Sequence, residues 1–301
     1  MSGRGGESWR EGRTGGGSAS GPVIVVGTAA LDRVVRLSGP LAPGSKLRGE
    51  ERGARLGGGA ANTALALARA GRAVRIVATL GFDTLGDRLL EELREAGIDI
   101  GLVRRVPGGS PGALILIDPA GERTVIRTSA AAQPRPFGSL DGEPASCLFA
   151  RGDAPGLDAL MEEAARTALV VAHVPPLAAG SRPAHVLVGS MADLGADFLA
   201  NPVAAGRRLA GDLLRCIVVT RGPLGAEAYP AGGGSFSVPA ARVPVVDSTG
   251  AGDVFAAGLI DGLLEGLAME GALRRAVAWG TASVGWDGPH PGPGFPPPDP
   301  A

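Results

Sequence analysis

Residues 247–253 read Asp-Ser-Thr-Gly-Ala-Gly-Asp, between the apolar run Val-Pro-Val-Val at 243–246 and the apolar stretch Val-Phe-Ala-Ala-Gly-Leu-Ile at 254–260. The pattern predicts a strand, a glycine-rich turn and a helix that begins near residue 251. Free N–H groups at the start of a helix bind anions, and glycines let a ligand approach the backbone closely. The segment is therefore a candidate phosphate site, with the Asp253 carboxylate beside it. An ordinary helix cap with small packing residues would have the same sequence. Chemistry alone therefore leaves both the phosphate site and the helix cap open.

Outward from this turn, short apolar runs alternate with amphipathic segments along most of the chain. The predicted strands cover residues 23–27, 73–80, 169–173, 185–188 and 216–220, and the predicted helices cover 60–70, 85–96, 251–265 and 270–284. Pairs of β-rich runs around turns predict hairpins within 112–128 and 226–238. Alternating strands and helices imply a mostly parallel sheet with helices on both faces. We therefore predict an α/β fold, a three-layer α/β/α sandwich with a mostly parallel central sheet and a small β lid.

The chain divides into one folded domain and two tails. Residues 1–21 are rich in glycine, serine and arginine, and residues 288–301 are rich in proline, so both are predicted to be disordered. The folded domain is predicted to cover residues 22–287. Its lid is predicted from the β-rich segments near 31–56 and 112–128, which fall outside the alternation of strands and helices.

The composition excludes several classes of function. The formal net charge of −1 gives no electrostatic argument for binding nucleic acid or a membrane surface, and no apolar run is long enough to span a membrane. Lysine occurs once, at Lys46, and no Gly-x-x-x-x-Gly-Lys-Ser/Thr segment exists, which excludes a P-loop nucleotide hydrolase. The histidines lack metal-ligand spacing, and the two cysteines fit a reducing cytoplasm. Any reaction must therefore use carboxylates, hydroxyls, arginines and backbone amides.

Residues 57–62, Gly-Gly-Gly-Ala-Ala-Asn, form a second candidate site at the start of a predicted helix. The glycine backbone could lie against a polyol, and Asn62 could exchange hydrogen bonds with its hydroxyls. A flexible turn with Asn62 as a local cap is the alternative. Asp32, shortly after the first predicted strand, is a weaker candidate for binding sugar hydroxyls. A dinucleotide-binding interpretation fails because Gly-x-Gly-x-x-Gly occurs neither after the first predicted strand nor at residues 57–62.

Segments 247–253 and 57–62 together resemble the paired signature of the ribokinase-like (PfkB) carbohydrate kinase family. Asp32 and the segments 81–86, 121–124 and 219–225 follow in the family's order. The resemblance covers about residues 22–287, nearly everything between the predicted tails. It implies the fold described above and ATP-dependent transfer of the γ-phosphate to a hydroxyl of a small sugar or sugar derivative.

The resemblance also implies roles for residues of this chain. Asp253 would be the catalytic base, and the backbone amides of Gly250, Ala251 and Gly252 would form the anion hole. The sugar would be held by Asp32, Gly58, Gly59 and Asn62, and the nucleotide by Arg123, Ser190, Thr220, Gly222 and Gly225. ATP and Mg²⁺ are the implied cofactors, with Mg²⁺ held mainly by phosphate oxygens and water. The protein's metal ligands stay unknown, with Asp247 and Asp193 as candidates. A monovalent cation is a further candidate cofactor.

One segment departs from the family pattern. Where many members carry Asn-x-x-Glu, this chain has Ser190 and Asp193. A serine after this strand is similar to the ketohexokinase-like branch. The departure bears on metal handling and nucleotide choice, whereas Asp253 and its neighbouring amides are intact, so an active kinase remains the prediction.

The predicted partners are a small-molecule sugar and ATP, with no nucleic acid and no membrane. A homodimer through the β lid and a cytoplasmic location are further predictions. Two alternatives stay open. A nucleoside kinase of the same fold would need a pocket that stacks a base, and aromatic residues are only 4% of the chain. A non-catalytic sugar or nucleotide sensor is suggested by Ser190 and Asp193.

Overall fold

Short runs of valine, leucine and isoleucine that are buried on both faces form the central strands. The computed structural model describes residues 21–120, 122–127, 140, 142–288, 290–292 and 294–299. The strands are β1 Val23–Val26, β2 Ala30–Leu37, β3 Gly49–Gly57, β4 Val74–Val77, β5 Thr79–Gly81, β6 Arg104–Val106, β7 Gly112–Ile117, β8 Arg123–Arg127, β9 Cys147–Ala150, β10 Leu169–Val174, β11 Val186–Ser190, β12 Cys216–Thr220, β13 Ala226–Pro230 and β14 Phe236–Val238. The helices are α1 Gly59–Arg69, α2 Thr84–Glu95, α3 Leu157–Ala164, α4 Ala196–Ala200, α5 Pro202–Ala210, α6 Ala251–Leu264 and α7 Met269–Ser283. The predicted tail 1–21 lies outside the described residues, apart from Gly21.

Eight of the described strands form the main sheet, in the order β14-β13-β12-β11-β10-β9-β1-β4. The pairs from β4 to β12 are parallel, and β13 and β14 add an antiparallel edge. Val23 and Val25 belong to an apolar cluster with α1, α2, α6 and α7, whereas Ile24 and Val26 belong to one with α3, α4 and α5. Because successive strand side chains point to opposite faces, helices cover both sides of the sheet. The predicted three-layer α/β/α sandwich is confirmed.

A second sheet has the strand order β3-β2-β7-β8. Strand β2 pairs antiparallel with β3 and parallel with β7, so both predicted β-rich segments contribute to one sheet. We call this sheet the lid, because its residues and the residues after β1 and β9 line one cavity.

Three features of the main domain differ from the sequence prediction. The predicted strand at 243–246 is wrong, because Pro244 has no N–H for a sheet and Val245 and Val246 are 67% and 62% exposed. The predicted strand at 73–80 divides into β4 in the main sheet and β5, which pairs with β6. Strands β6 and β9 and helices α3, α4 and α5 have no counterpart among the predicted elements.

The described residues after α7 fold back onto the domain. The ring of Phe295 packs edge-on against Trp279 and Trp286, with ring centroids 4.7 Å and 5.6 Å away. Nε2 of His290 lies 2.6 Å from the backbone oxygen of Leu56, at the end of β3. These contacts differ from the disordered tail predicted for 288–301, because the aromatic rings give this proline-rich segment an apolar surface to bury.

Candidate active site

The turn before α6 places Asp253 at the start of that helix. Gly250 is the N-cap residue, with a φ of 76°, a left-handed conformation that glycine adopts without steric cost. Asp253 lies in the first helical turn and is 5% exposed. Helix N–H groups stabilise negative charge at this position. The turn therefore holds a buried carboxylate next to backbone donors, as the sequence predicts.

Two side chains hold the Asp253 carboxylate from different elements. Asn62, in the first turn of α1, donates from Nδ2 to Oδ2 over 2.9 Å, and Nε of Arg151 donates to Oδ1 over 2.7 Å. Thr63 adds a hydrogen bond from Oγ1 to the Asp253 backbone oxygen, over 3.2 Å. Helices α1 and α6 therefore meet at their first turns, and the two glycine-rich segments found in the sequence belong to one site.

Asn62, one of the predicted sugar ligands, lies beside Asp253. Its amide nitrogen binds Asp253, and its Oδ1 is buried without a hydrogen-bond partner among the described residues. It is absent from the described wall of the cavity beside the lid. Asn62 thus contacts the Asp253 carboxylate, and its contact with a sugar stays a prediction.

The backbone amides at 250–252 are not equivalent. The N–H of Ala251 donates to the Ser248 backbone oxygen over 3.3 Å, whereas those of Gly250 and Gly252 have no partner within the described part of the chain. A Cβ on Gly252 would meet no atom within 4 Å, so open space lies beside this residue. Among the described residues, the turn therefore has two backbone amides without a partner and one that is weakly engaged.

Asp247 stabilises the turn before α6 through a hydrogen bond inside that turn. Its Oδ1 accepts a hydrogen bond from the Thr249 N–H over 2.6 Å, and its Oδ2 lies 3.4 Å from Nη2 of Arg55 on β3. Asp247 is buried, and Arg55 compensates its charge while tying the lid to the turn. Asp193, the other metal option, is exposed and lies outside the described walls of both cavities.

A cavity of 490 Å³ lies between the lid and the main sheet, and we call it the lid cavity. The predicted sugar ligands Asp32, Gly58 and Gly59 line it, together with Arg151. Gly58 has a φ of 88°, and a Cβ there would lie 2.5 Å from the Thr28 backbone oxygen. A Cβ on Gly59 would lie 2.7 Å from Nε of Arg151. The glycines are therefore required by close packing around the cavity.

Asp32 contributes a carboxylate to the lid cavity. Burial raises its pKa above the ordinary value, and the charge of Arg55 partly opposes that rise. A Cβ on Gly57 would lie 2.1 Å from Oδ2 of Asp32, so the glycine makes room for this side chain. Asp32 is placed to accept hydrogen bonds from hydroxyls of a ligand in the cavity.

A second cavity, of 710 Å³, lies beside α6 and α7, and we call it the helix cavity. It brings together the predicted nucleotide and anion-hole residues Ser190, Thr220, Gly222, Gly225, Ala251 and Gly252. Much of the remaining wall is apolar and includes two of the three valines of the wrongly predicted strand, Val243 and Val245. An apolar cavity with a few polar groups at one end suits a flat heterocycle joined to a charged group. The Arg123 side chain lies outside the described part of the chain, and only its backbone in β8 is placed.

Two arginines of the lid cavity, Arg151 and Arg127, were not found by sequence reasoning. Arg151 follows β9, at the carboxyl end of a parallel strand, where ligands bind in sheets of this kind. Burial, assisted by the Arg151 charge, lowers the pKa of the nearby His173 to about 4, so that histidine is neutral at pH 7. Recognising β9 as a strand would have drawn attention to Arg151.

Two further features of the described residues concern metal and membrane binding. No group of three or more His, Cys, Asp and Glu side chains there is arranged to hold a metal ion. None of the helices there combines the length and apolar character needed to cross a bilayer.

The sequence of the chain is similar to those of known carbohydrate kinases. Residues 22–147 and 192–292 match the model described as pfkB family carbohydrate kinase. Ribokinase of Schizosaccharomyces pombe is 24% identical over 291 residues, covering 87% of this chain and 91% of the relative. The 2-dehydro-3-deoxygluconokinase of Bacillus subtilis is 28% identical over 266 residues, covering 76% of this chain and 80% of the relative.

A solved structure of similar fold is Arabidopsis thaliana ribokinase complexed with ribose and ATP. Its TM-score is 0.73 at 22% identity, and the match covers 89% of this chain and 94% of that chain. Arg151 and Ser190 lie outside the ranges matched by the family model. Their roles therefore rest on the geometry of this chain.

Proposed function

Because the chain belongs to the pfkB family of carbohydrate kinases, we propose that it transfers the γ-phosphate of ATP to a hydroxyl group of a small sugar or sugar derivative, with Asp253 as the base. The observation that carries the proposal is the position of Asp253. Its partner Arg151 lines the lid cavity, while Gly252, its neighbour in the chain, lines the helix cavity. The base thus lies where a ligand in one cavity would meet a ligand in the other.

In the proposed reaction the sugar occupies the lid cavity and ATP the helix cavity. Asp253 accepts the proton of the acceptor hydroxyl, the hydroxyl oxygen bonds to the γ-phosphorus, and the bond to the β-phosphate oxygen breaks to release ADP. The free N–H groups of Gly250 and Gly252 stabilise the charge on the phosphoryl oxygens. Asn62 and Arg151 hold the carboxylate in place during the transfer.

Sugar and nucleotide contacts follow from the walls of the two cavities. We propose that Asp32, Gly58 and Gly59 bind the sugar, and that Ser190, Thr220, Gly222 and Gly225 border the nucleotide. Relatives named for ribose and for 2-dehydro-3-deoxygluconate support a sugar-like acceptor. The described wall of the lid cavity contains no aromatic residue, which disfavours the nucleoside kinase alternative.

Mg²⁺ is proposed to arrive with ATP and to balance the charge of its phosphates. The described residues offer free backbone amides at Gly250 and Gly252 rather than a cluster of carboxylates, which supports a cation held by phosphate oxygens and water. A monovalent cation stays a prediction.

The remaining proposals concern the protein's surroundings. The exposed residues Val125 and Ile126 on β8, an edge strand of the lid sheet, support a homodimer through the lid. The free cysteines Cys147 and Cys216 support a reducing compartment such as the cytoplasm.

The test is an ADP-release screen over ketoses, aldoses, deoxy-sugar acids and nucleosides, followed by Asp253→Asn with the preferred acceptor. We expect kcat to fall by about 10²-fold or more, the lower range of what a general base contributes, while the sugar still raises the Tm. Asp212→Asn, at an exposed position outside both described cavity walls, is the matched control. Near-normal kcat for Asp253→Asn would show that another group is the base, and no ADP release with any acceptor would favour the sensor alternative.

A further inference from the structure

Charged side chains line the lid cavity from two sides. Asp32 and Arg127 belong to the lid, and Asp153 and Arg151 follow strand β9 of the main sheet. A monosaccharide without charge needs hydrogen-bond partners but no unpaired cation. A charged side chain here that has no oppositely charged partner in the protein would therefore indicate a charged ligand.

Three of the four have an oppositely charged neighbour. Arg151 binds Asp253, Asp153 lies 3.9 Å from Nη1 of Arg182, and Asp32 lies opposite Arg55 in the β2–β3 register. No hydrogen bond or ion pair joins the Arg127 side chain to another residue in the described part of the chain. Arg127 therefore brings a positive charge to the cavity without a partner there.

The lid register places Arg127 at the end of a row across the sheet. Asp32 on β2 pairs with Ala113 on β7, and Ala113 pairs with Arg127 on β8. Paired residues point to the same face, and two strand spacings separate Asp32 from Arg127 by about 10 Å. All three line the cavity, and the small Ala113 leaves space between the two charged side chains. A ligand of sugar size can thus contact Asp32 with one part and Arg127 with another.

Arg151 adds donors on the opposite wall. Its Nε binds Asp253, and its Nη atoms have no hydrogen bond to the described residues. The reacting hydroxyl must lie close to Asp253, on the main-sheet side, whereas Arg127 lies on the lid. The group that Arg127 binds therefore belongs to a different part of the acceptor from the reacting hydroxyl.

From this arrangement we infer that the acceptor sugar carries an anionic group, a carboxylate or a phosphate, which Arg127 binds in the lid. The inference rests on the proposed function, because it assumes that the lid cavity holds the acceptor. A guanidinium group forms paired, charge-assisted hydrogen bonds with either anion, and these bonds are stronger than those between neutral groups. Arg127 would thereby select sugar acids or sugar phosphates over neutral sugars.

The experiment compares three sets of acceptors with the full chain: neutral sugars such as ribose and fructose, sugar acids such as gluconate, and sugar monophosphates such as ribose 5-phosphate and glucose 6-phosphate. ADP release and the rise in Tm are measured for each, with wild type, Arg127→Gln and Arg33→Gln. Arg33 follows Asp32 on β2, so it points to the opposite face of the lid and is a matched control.

We expect wild type to prefer one anionic set, which also identifies the anion as carboxylate or phosphate. Arg127→Gln should raise KM for that acceptor by about 10- to 100-fold, the effect of losing one charge-assisted hydrogen bond, with KM for ATP unchanged. Arg33→Gln should behave as wild type. Preference for neutral sugars, or a rise in KM for ATP with Arg127→Gln, would overturn the inference while leaving the kinase proposal intact.

Absence of ADP release with every acceptor would instead contradict the proposed function. The Tm measurement then decides the inference, because binding needs no turnover. A Tm rise with anionic sugars only, abolished by Arg127→Gln, would support the anionic ligand. No Tm rise with any anionic sugar would overturn it.

Discussion

Asp253 is held by two neighbours whose contributions differ in kind. Asn62 donates a neutral hydrogen bond, whereas Arg151 brings a full positive charge to within 2.7 Å of the carboxylate. A charge-assisted hydrogen bond fixes the direction of the carboxylate more strongly than a neutral one. Arg151 is therefore the residue on which the orientation of the Asp253 carboxylate most depends.

Replacing Arg151 should separate binding from catalysis. For Arg151→Gln we expect kcat to fall by roughly 10- to 100-fold, since a small misplacement of a reacting group has effects of this size, with KM for ATP little changed. Arg151→Lys should recover part of kcat, because it restores the charge without the Nε geometry. Steady-state kinetics measure both, with the exposed Arg166→Gln as control. Wild-type kcat for Arg151→Gln would show that the base needs no such support.

Among single residues, those that belong to sequence motifs could be predicted, whereas those that reach the site from other elements of the fold could not. Asp253 and the glycines at 250 and 252 were predictable because the turn and the helix start are local features of the chain. Arg151 reaches Asp253 over a separation of 102 residues, and that contact depends on the order of strands in the sheet. Single residues near an unrecognised strand carry no periodic signal, so neither Arg151 nor its contact with Asp253 could be inferred.

Helices α1, α6 and α7 are the elements that determine the site. Glycines at 258 and 262 let α6 approach α7, since a Cβ on either would lie 3.0 Å or 2.9 Å from a Cα of α7. Asp261 of α6 is buried and accepts hydrogen bonds from Arg72 after α1, over 2.6 Å, and from Arg275 of α7, over 2.5 Å. One carboxylate therefore joins three elements below the site.

Asp261→Asn should destabilise the fold without changing catalysis. Removing one member of a buried ion pair leaves its partners uncompensated, so we expect the free energy of unfolding to fall by about 3 kcal/mol. Urea unfolding measures this loss, and ADP release should keep its kcat. Glu265→Gln removes a more exposed partner of Arg72 and should cost less than about 1 kcal/mol. Equal stability of Asp261→Asn and wild type would mean that this carboxylate does not hold the helices together.

Most elements were predictable because the apolar periodicity follows burial, as in β12, whose bounds agree with the predicted 216–220. The exception at 243–246 has a physical cause. Val243 and Val245 line the helix cavity instead of a sheet, and periodicity alone cannot distinguish such apolar residues from those of a strand.

Over the whole molecule, the C-terminal segment connects parts that are distant in the chain. Phe295 lies against Trp279 of α7 and against Trp286, while His290 contacts the end of β3 in the lid. The sequence suggested disorder for this segment because its composition is rich in proline. That composition does not show that Phe295 packs against tryptophans of the preceding helix and of the turn after it.

Phe295→Ala should reveal whether this segment belongs to the folded domain. Loss of its two ring contacts and of the buried ring surface should lower the free energy of unfolding by about 2 kcal/mol. Urea unfolding is the measurement, and Phe82→Ala, at a ring that is 68% exposed, is the control that should change little. Identical unfolding of Phe295→Ala and wild type would support a disordered tail after all.

The most direct test of the central claim is a crystal structure of Asp253→Asn with ATP and the preferred acceptor, since this variant should bind both and turn them over much more slowly. The acceptor hydroxyl oxygen should lie within hydrogen-bond distance of the residue 253 side chain, about 2.6–3.2 Å, and in line with the γ-phosphorus. The γ-phosphate oxygens should contact the N–H groups of Gly250 and Gly252. A hydroxyl directed away from residue 253, or a γ-phosphate outside that turn, would contradict the account.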